Sequence, residues 1–518
     1  MTTRSHLQQL LSDSLTDGGE RVALRFADEA ITYAELDLRV RQVASGLTAW
    51  GIRPGDRVGW FLPNCPEAVL VTLACYHIGA ISLPLNYRYR APELQYVLER
   101  TGTSRLVFHT DHREVVNAVM PRIPDLDGVE TGCHGQFGGH AGFARLLDHP
   151  PLVQDADVTD NDPALIMFTS GSTGRPKGVV HSHRTAWCGI EISRRIFEMT
   201  DQDVVLVGKP ISHAGGLETQ LMPCLLAGGE AVLTMKPTPA EAARLISRHQ
   251  VTQYAMLASD LLDFIEHVEQ HPAGLPSLTN IMGSGDAVPH HLHQRFLDLF
   301  GWPIMEGCGM TEIGGYYAVN PRFGTRKRCS LGQAAPDTTL QILDEQGQPV
   351  ATGKTGEIAV RSPSSTTGYW DDPAATADLY RGGWLHSGDL ASMDEDGFLW
   401  FVGRKKLMIV RRGSNIAPAE IEDVIDQHPE IHAAVVVGAT DPRDGQVPVA
   451  CVAPMPGSNP PGAQELVGFL QSRLAEYKIP VAWFFFEELP LNSTGKFDRN
   501  RLKQWVADRM AASSVEQS

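Results

Sequence analysis

RVGWFLPNCPEAVLVTLACYHIGAISLPLNYRYRAPELQYVLERTGTSRLVFH, residues 57–109, decides the fold. RVGWFL (57–62) reads as a strand, because short runs rich in β-branched and aromatic residues suit a pleated surface. A helix over about 66–79 follows, then a strand at AISLPL (80–85), a helix over about 91–101 and a strand at RLVFH (105–109). Strands separated by helices can pair in parallel, so the alternation predicts a βαβ, largely parallel sheet with helices on its faces.

The pattern extends in both directions. Upstream, Thr32-Tyr33-Ala34-Glu35 has the spacing of a capping box. Leu36, Val40, Val43 and Leu47 then recur at helical spacing, and Gly51 can end that helix. Downstream, PALIMFT (163–169) and the stretch after 203 continue the alternation. TGCHGQFGGHAG (131–142) breaks it and reads as a surface connection. After residue 402 the texture changes. A short strand, a helix at APAEIEDVIDQHP, strands at 433–439 and 448–453, a helix over 463–476 and a strand at 482–488 make a compact α+β unit. AASSVEQS at the end reads as a frayed tail. The expectation is an α/β chain. A large N-terminal domain of βαβ-rich sheets covers 1–402, residues 403–406 form a hinge, and a small mobile α+β C-terminal domain covers 407–518.

Composition limits the function. A length of 518 residues predicts at least two domains, and 42% hydrophobic with 20% charged residues is that of a folded chain. The formal net charge of −17 argues against nucleic acid as a partner. The basic clusters are short, Arg326-Lys327-Arg328, read as solvated surface, and Arg404 to Arg412. No apolar run reaches the roughly 18 residues of a membrane span, and the N-terminus has no signal-peptide core, so a cytoplasmic protein is expected. The eight cysteines form no CxxC pair and are expected to be reduced thiols. The histidines at 290, 291 and 293 lack a metal-ligand pattern nearby in sequence.

TSGSTGRPKG (169–178) carries the strongest chemical signal, and it is expected to join the apolar strand before it to a helix after it. Thr169, Ser170, Ser172 and Thr173 offer hydroxyl donors, Gly171 and Gly174 let backbone N–H groups approach an anion, and Lys177 adds positive charge. This is the chemistry of a loop that cradles phosphates. It is not the Walker pattern, because Pro176 precedes Lys177 and Gly178 follows it.

TSGSTGRPKG closely resembles the signature loop of the adenylate-forming superfamily, which contains acyl- and aryl-CoA synthetases, peptide-synthetase adenylation domains and beetle luciferases. The resemblance recurs in order along essentially the whole chain. GCGMTE (307–312), with Glu306 before it, looks like the nucleotide-contacting segment: Gly307, Cys308, Gly309 and Met310 would border the nucleotide, Thr311 would bind the α-phosphate and Glu312 would hold Mg²⁺. GSGDA (283–287) resembles the adenine-lining stretch, with Gly285, Asp286 and Ala287 at the base. WLHSGDL (384–390) places Asp389 at the ribose hydroxyls. GRKK (403–406) matches the hinge, with Arg404 near the ribose and Lys406 at the pivot. LPLNSTGKFDR (489–499) matches the loop of the catalytic lysine, here Lys496. Ile211-Ser212-His213 resembles the position where a histidine gates the acyl channel, with Gly215, Gly216, 281–285 and 309–315 lining the acyl pocket.

This chain departs from the family at three places. Cys308 stands where an aromatic residue usually stacks on adenine, and a thiol offers far less stacking area. Leu407 follows the hinge in place of the usual acid. Arg411 and Arg412 lie near the domain boundary, either as partners for coenzyme A phosphates or as a solvated face. The resemblance implies an ATP- and Mg²⁺-dependent ligase that converts a carboxylic acid to its acyl-AMP and passes the acyl group to coenzyme A. An acyl-AMP ligase loading a carrier protein, a luciferase-like oxygenase and a non-catalytic nucleotide-binding module are the alternatives. The identity of the acid stays open.

Overall fold

The computed structural model describes residues 6–16, 19–132, 141–169, 176–271, 274–284, 288, 290–412, 414–441, 443–457, 460–492 and 495–515. The strands expected between 57 and 109 form as Arg57–Phe61, Ile81–Pro84 and Arg105–His109, all mutually parallel through Arg57–Phe61. They lie in a seven-stranded sheet with Asp127–Thr131 at one edge and Gly368–Tyr369 at the other. A nine-stranded sheet runs from Gln333–Ala334 to Glu29–Thr32. Its centre is parallel and both its edges are antiparallel.

The helix Pro66–Ile78 explains how the two sheets meet. All its residues are buried, and it shares one apolar cluster with Val58 and Trp60 of the seven-stranded sheet and Val205 and Val207 of the nine-stranded one. A helix packed between two sheets has no solvated face, hence its lack of a polar stripe. Pro66 starts it, where the missing N–H costs nothing, and Gly79, at φ 69°, ends it in the left-handed region. Phe61 points to the opposite face and packs with Leu94, Val97 and Leu98 of the helix Ala91–Thr101. The capping box of Thr32 and Glu35 is present at the head of Tyr33–Ala49.

Three expectations need correction. The glycine- and serine-rich loop does not join a strand to a helix. It joins Pro163–Thr169 to a second strand, Lys177–Ser182, and the two pair antiparallel with Thr169 opposite Lys177. The run GVVHS is apolar enough to enter the sheet, and the helix His183–Ile196 starts only at its Ser182 cap. The stretch expected to be a frayed tail is helical as far as it is described: the helix Arg499–Val515 includes residues 511–515, and 516–518 lie outside the described residues. The helix expected over 463–476 ends at Gln471, where the N–H groups of Arg473 and Leu474 turn back onto Leu470 O. The glycine-rich connection is described only outside 133–140.

Between the large sheets and the C-terminal unit stands an antiparallel sheet of Thr339–Leu343, Gly356–Arg361, Trp384–Met393 and Tyr380–Arg381, with Leu399–Arg404 beside Trp384–Met393. The C-terminal sheet contains Ile409–Arg411, Ser414–Ile416, Gly445–Pro454, Ile431–Asp441 and Ala482–Phe485. Pro418–Ile425 and Ala463–Gln471 pack on one of its faces and the helix from Arg499 on the other. No helix among the described residues is long and apolar enough to cross a membrane.

Candidate active site

Asp389 and Arg404 are direct partners across adjacent antiparallel strands, so the ladder brings two residues distant in sequence to one place. The Arg404 Nε lies 3.2 Å from Asp389 Oδ1. On the other side, the Tyr317 hydroxyl donates to Asp389 Oδ2 at 2.9 Å. Cys308 Sγ is 2.8 Å from the Tyr317 hydroxyl and 3.7 Å from Asp389 Oδ2. Burial pushes the Cys308 thiol up to about 12, so it stays neutral. The small side chain at 308 thus packs against the polar pair.

The strand Met305–Met310 leads into a short turn, Thr311–Ile313, closed by Gly314 at φ 65°. His181 Nε2 donates to Thr311 O at 2.8 Å. Burial holds His181 down at about 4, so it is a neutral donor at pH 7. Glu312 is buried, and its Oε1 accepts a 2.6 Å bond from the Tyr369 hydroxyl. Lys177 Nζ lies 5.0 Å from the centre of the Tyr369 ring. Thr169, Lys177, Thr311 and Glu312 are therefore gathered around one edge of the seven-stranded sheet. Gly307 and Gly309 permit the close backbone approach there: a Cβ on Gly307 would fall 2.7 Å from Ala318 O, and one on Gly309 would collide with Gly315 O. Met310 ends the same strand.

Glu306 faces away from this turn. Its Oε1 accepts from Val288 N at 3.2 Å and its Oε2 lies 2.9 Å from His293 Nε2. Burial opposes charge on His293, but Cys329 and Glu306 together raise it to about 9. His293 thus has thiol and carboxylate neighbours in space that it lacks in sequence. Among the described residues no group of three or more side chains has a metal-binding arrangement.

The C-terminal loop meets the large domain near His213 and Lys209. Arg88 Nη1 donates to Asn492 O at 3.3 Å. Lys496 N donates to Asn492 Oδ1 at 3.1 Å, which pins the lysine-bearing turn. The Lys496 charge is felt by both His213 and Lys209. His213 caps the turn Ala214–Gly216, its Nε2 has no hydrogen-bond partner among the described residues, and burial with nearby Lys496, Arg88 and Lys236 holds it at about 4. Lys209 Nζ donates to Ser284 Oγ, and burial followed by Lys496 brings it down to about 7.

Ser170, Gly171, Ser172, Thr173 and Gly174, and Gly285, Asp286 and Ala287, lie outside the described residues. Lys406 sits exposed on the short turn Lys405–Leu407. Arg411 and Arg412 both bond Asp444, at 2.8 and 2.6 Å, so each already has an acidic partner within the small domain. Lys327 is held by Asp394 and Asp396 at 2.7 Å each, which makes 326–328 an anchored segment, not a free basic face. Sequence reasoning missed Tyr317, Tyr369, His181 and Lys209. Tyr317 and His181 lie in largely apolar runs, and neither Tyr369, directly after the polar stretch Thr366-Thr367-Gly368, nor Lys209 had a motif to mark it.

A family profile for AMP-binding enzymes matches residues 11–370, and one for the AMP-binding enzyme C-terminal domain matches 420–496. The chain belongs to the AMP-binding enzyme family, and within it to the AMP-forming acid–thiol ligases. It is 35% identical to a feruloyl-CoA synthase of an Amycolatopsis species, covering 93% of this chain and 95% of that one. It is 34% identical to the indoleacetate–CoA ligase of Aromatoleum aromaticum, covering 94% and 95%. Among solved structures, ATP-bound MatB of Rhodopseudomonas palustris superposes with a TM-score of 0.91 at 27% identity, covering 98% of this chain and 99% of that one. The same protein in its apo form gives 0.80 at 27% identity, again with 98% and 99% covered.

Proposed function

We propose that this enzyme activates an aryl-substituted carboxylic acid in the arrangement described above and then transfers the acyl group to coenzyme A. Support for coenzyme A as acceptor comes from the full-length similarity to CoA ligases, and support for an aryl acid from the names of the two relatives. The observation that carries the mechanism is the convergence of Lys496, from the small domain, with His213 and Lys209 of the large one.

A carboxylate is a nucleophile at neutral pH, so attack on the α-phosphorus of ATP needs no general base. The barrier lies in bringing two anions together and neutralising the pyrophosphate that leaves. Asp389 and Arg404 hold the ribose, with Asp389 fixed by Tyr317. Thr311, carried on the turn that His181 fixes, donates to the α-phosphate. Lys177 and the loop from Thr169 meet the outer phosphates, and Lys496 spans carboxylate and α-phosphate. Glu312 has one oxygen engaged by Tyr369, and no other bond to its carboxylate occurs among the described residues. A single hard oxygen donor fits Mg²⁺, which usually takes one or two carboxylates and fills its shell with water and phosphate oxygens. When bound, Mg²⁺ would neutralise phosphate charge at Glu312.

For the second step the small domain, residues 407–518, turns about Lys406 and carries Lys496 away. The thiol of coenzyme A then attacks the acyl carbon, and AMP leaves. Lys406 itself is exposed and sits on the three-residue turn Lys405–Leu407, which suits a pivot. Pyrophosphate release measured across a panel of aryl and alkyl acids, with and without coenzyme A, tests the reading. Turnover of aryl acids with thioester formed only when coenzyme A is supplied is the expected result. Acyl-AMP that accumulates and passes to a carrier pantetheine but not to free coenzyme A would contradict it.

A further inference from the structure

Glu218 is 1% exposed, and neither of its carboxyl oxygens has a hydrogen-bond partner among the described residues. Native proteins rarely bury an unpaired carboxyl, because the group loses its water and gains nothing in return. The residue lies roughly one turn past His213, on Leu217–Leu221, which is a π-helix. Such wide turns are uncommon and re-aim side chains, often at functional sites.

Its surroundings place it on the substrate side. Oε1 lies 3.2 Å from the point where a Cβ on Gly314 would sit, and Gly314 closes the turn that carries Thr311 and Glu312. Ser193 Oγ, fully buried and also without a partner among the described residues, lies 3.2 Å from the corresponding point on Gly315. Ser212 Oγ and His213 Nε2, at the start of the same helical segment, are likewise without a partner among the described residues. Glu218 Oε1 and Ser193 Oγ thus flank the Gly314–Gly315 backbone, where both glycines lack the side chain that would fill the space beside them.

We propose that Glu218 is a specificity residue, whose carboxyl pairs with an uncharged hydroxyl on the far side of the acid being activated. The inference rests on the aryl-acid ligase reading for the scaffold of that acid, but not for the hydroxyl. Burial raises the Glu218 carboxyl to about 8, so at neutral pH it carries a proton and offers one donor and one acceptor. A hydroxyl answers both. An acid lacking it leaves the buried carboxyl unpaired, and sites of this kind reject such analogues strongly.

The test uses two matched pairs, 4-hydroxycinnamate with cinnamate and 6-hydroxyhexanoate with hexanoate, in pyrophosphate release by the full-length enzyme. The wild type should favour the hydroxyl member of the accepted pair by at least about 30-fold in kcat/KM. Glu218→Leu should erase that preference, raising KM for the hydroxy acid and leaving the plain acid as good or better. Glu218→Gln, which still donates and accepts, should retain most of the preference and fold normally by thermal melting. Equal use of both members by the wild type, or a preference left unchanged in Glu218→Leu, would overturn the proposal. Acceptance of only the hexanoate pair would refute the aryl reading, while the hydroxyl preference within that pair still decides the role of Glu218.

Discussion

The Tyr317 hydroxyl donates to Asp389 Oδ2 at 2.9 Å from a fully buried position, on the strand whose Ala318 stands opposite Cys308. The residue that interrupts the family pattern and the residue that buttresses Asp389, the proposed ribose partner, are therefore neighbours. A bulky aromatic ring at 308 would meet the Tyr317 hydroxyl, which the thiol approaches at 2.8 Å. Tyr317→Phe removes a hydrogen bond to a charged group, and such bonds contribute about 1.5–3 kcal/mol. KM for ATP should rise about tenfold or more, with KM for the acid unchanged. Cys308→Ala should shift KM for ATP by less than about threefold, because the weak thiol contact is a minor one. Steady-state kinetics with ATP varied measure both.

The bond from Tyr369 to Glu312 makes a second prediction. Tyr369→Phe leaves Glu312 Oε1 without its donor and lets the carboxylate swing from the position that would face Mg²⁺. The Mg²⁺ concentration for half-maximal activity should rise by about tenfold, the low end of what such supporting contacts contribute. A titration of activity with Mg²⁺ at saturating ATP reads this directly.

His181 gives a pH prediction with a defined sign. Burial depresses its folded value to about 4, below that of an exposed histidine near 6.5. The unfolded chain therefore binds more protons between those values, and the stability His181 provides is present above pH 6.5 and lost as pH falls toward 4. His181→Gln keeps an amide that can donate to Thr311 O but does not titrate. The melting-temperature advantage of the wild type over this variant at pH 7.5 should shrink at pH 5. A constant difference would place the charge change elsewhere.

The strands and helices of residues 57–109 were legible because their periods of hydrophobicity differ and glycines punctuate them. The same logic failed at 169–182, because GVVHS is too short to separate a strand from the start of the helix that Ser182 caps. The sheet carrying Asp389 was not legible as a sheet, although its motif was. Its strands are joined by turns rather than helices, and Arg404 meets Asp389 only through antiparallel register. Thr311, Glu312, Asp389 and Lys496 were marked by ordered motifs. Tyr317 was not, because a buried tyrosine and a buried phenylalanine look alike in a hydrophobic pattern until the partner of the hydroxyl is known, and Tyr369, half-buried after Thr366-Thr367-Gly368, was not because nothing in its sequence marks its bond to Glu312. Glu218 was passed over for a related reason: a lone acid within an apolar segment carries no spacing signal.

The central claim is that Lys496 serves the first half-reaction from its docked position beside His213 and Lys209. The direct measurement is Lys496→Ala assayed in the two half-reactions separately. Acyl-AMP formation should fall by on the order of 100-fold or more, the loss expected for one preorganised transition-state charge. Thioester formation from supplied acyl-AMP and coenzyme A should proceed at the wild-type rate. Equal loss in both half-reactions, or none in the first, would contradict the account.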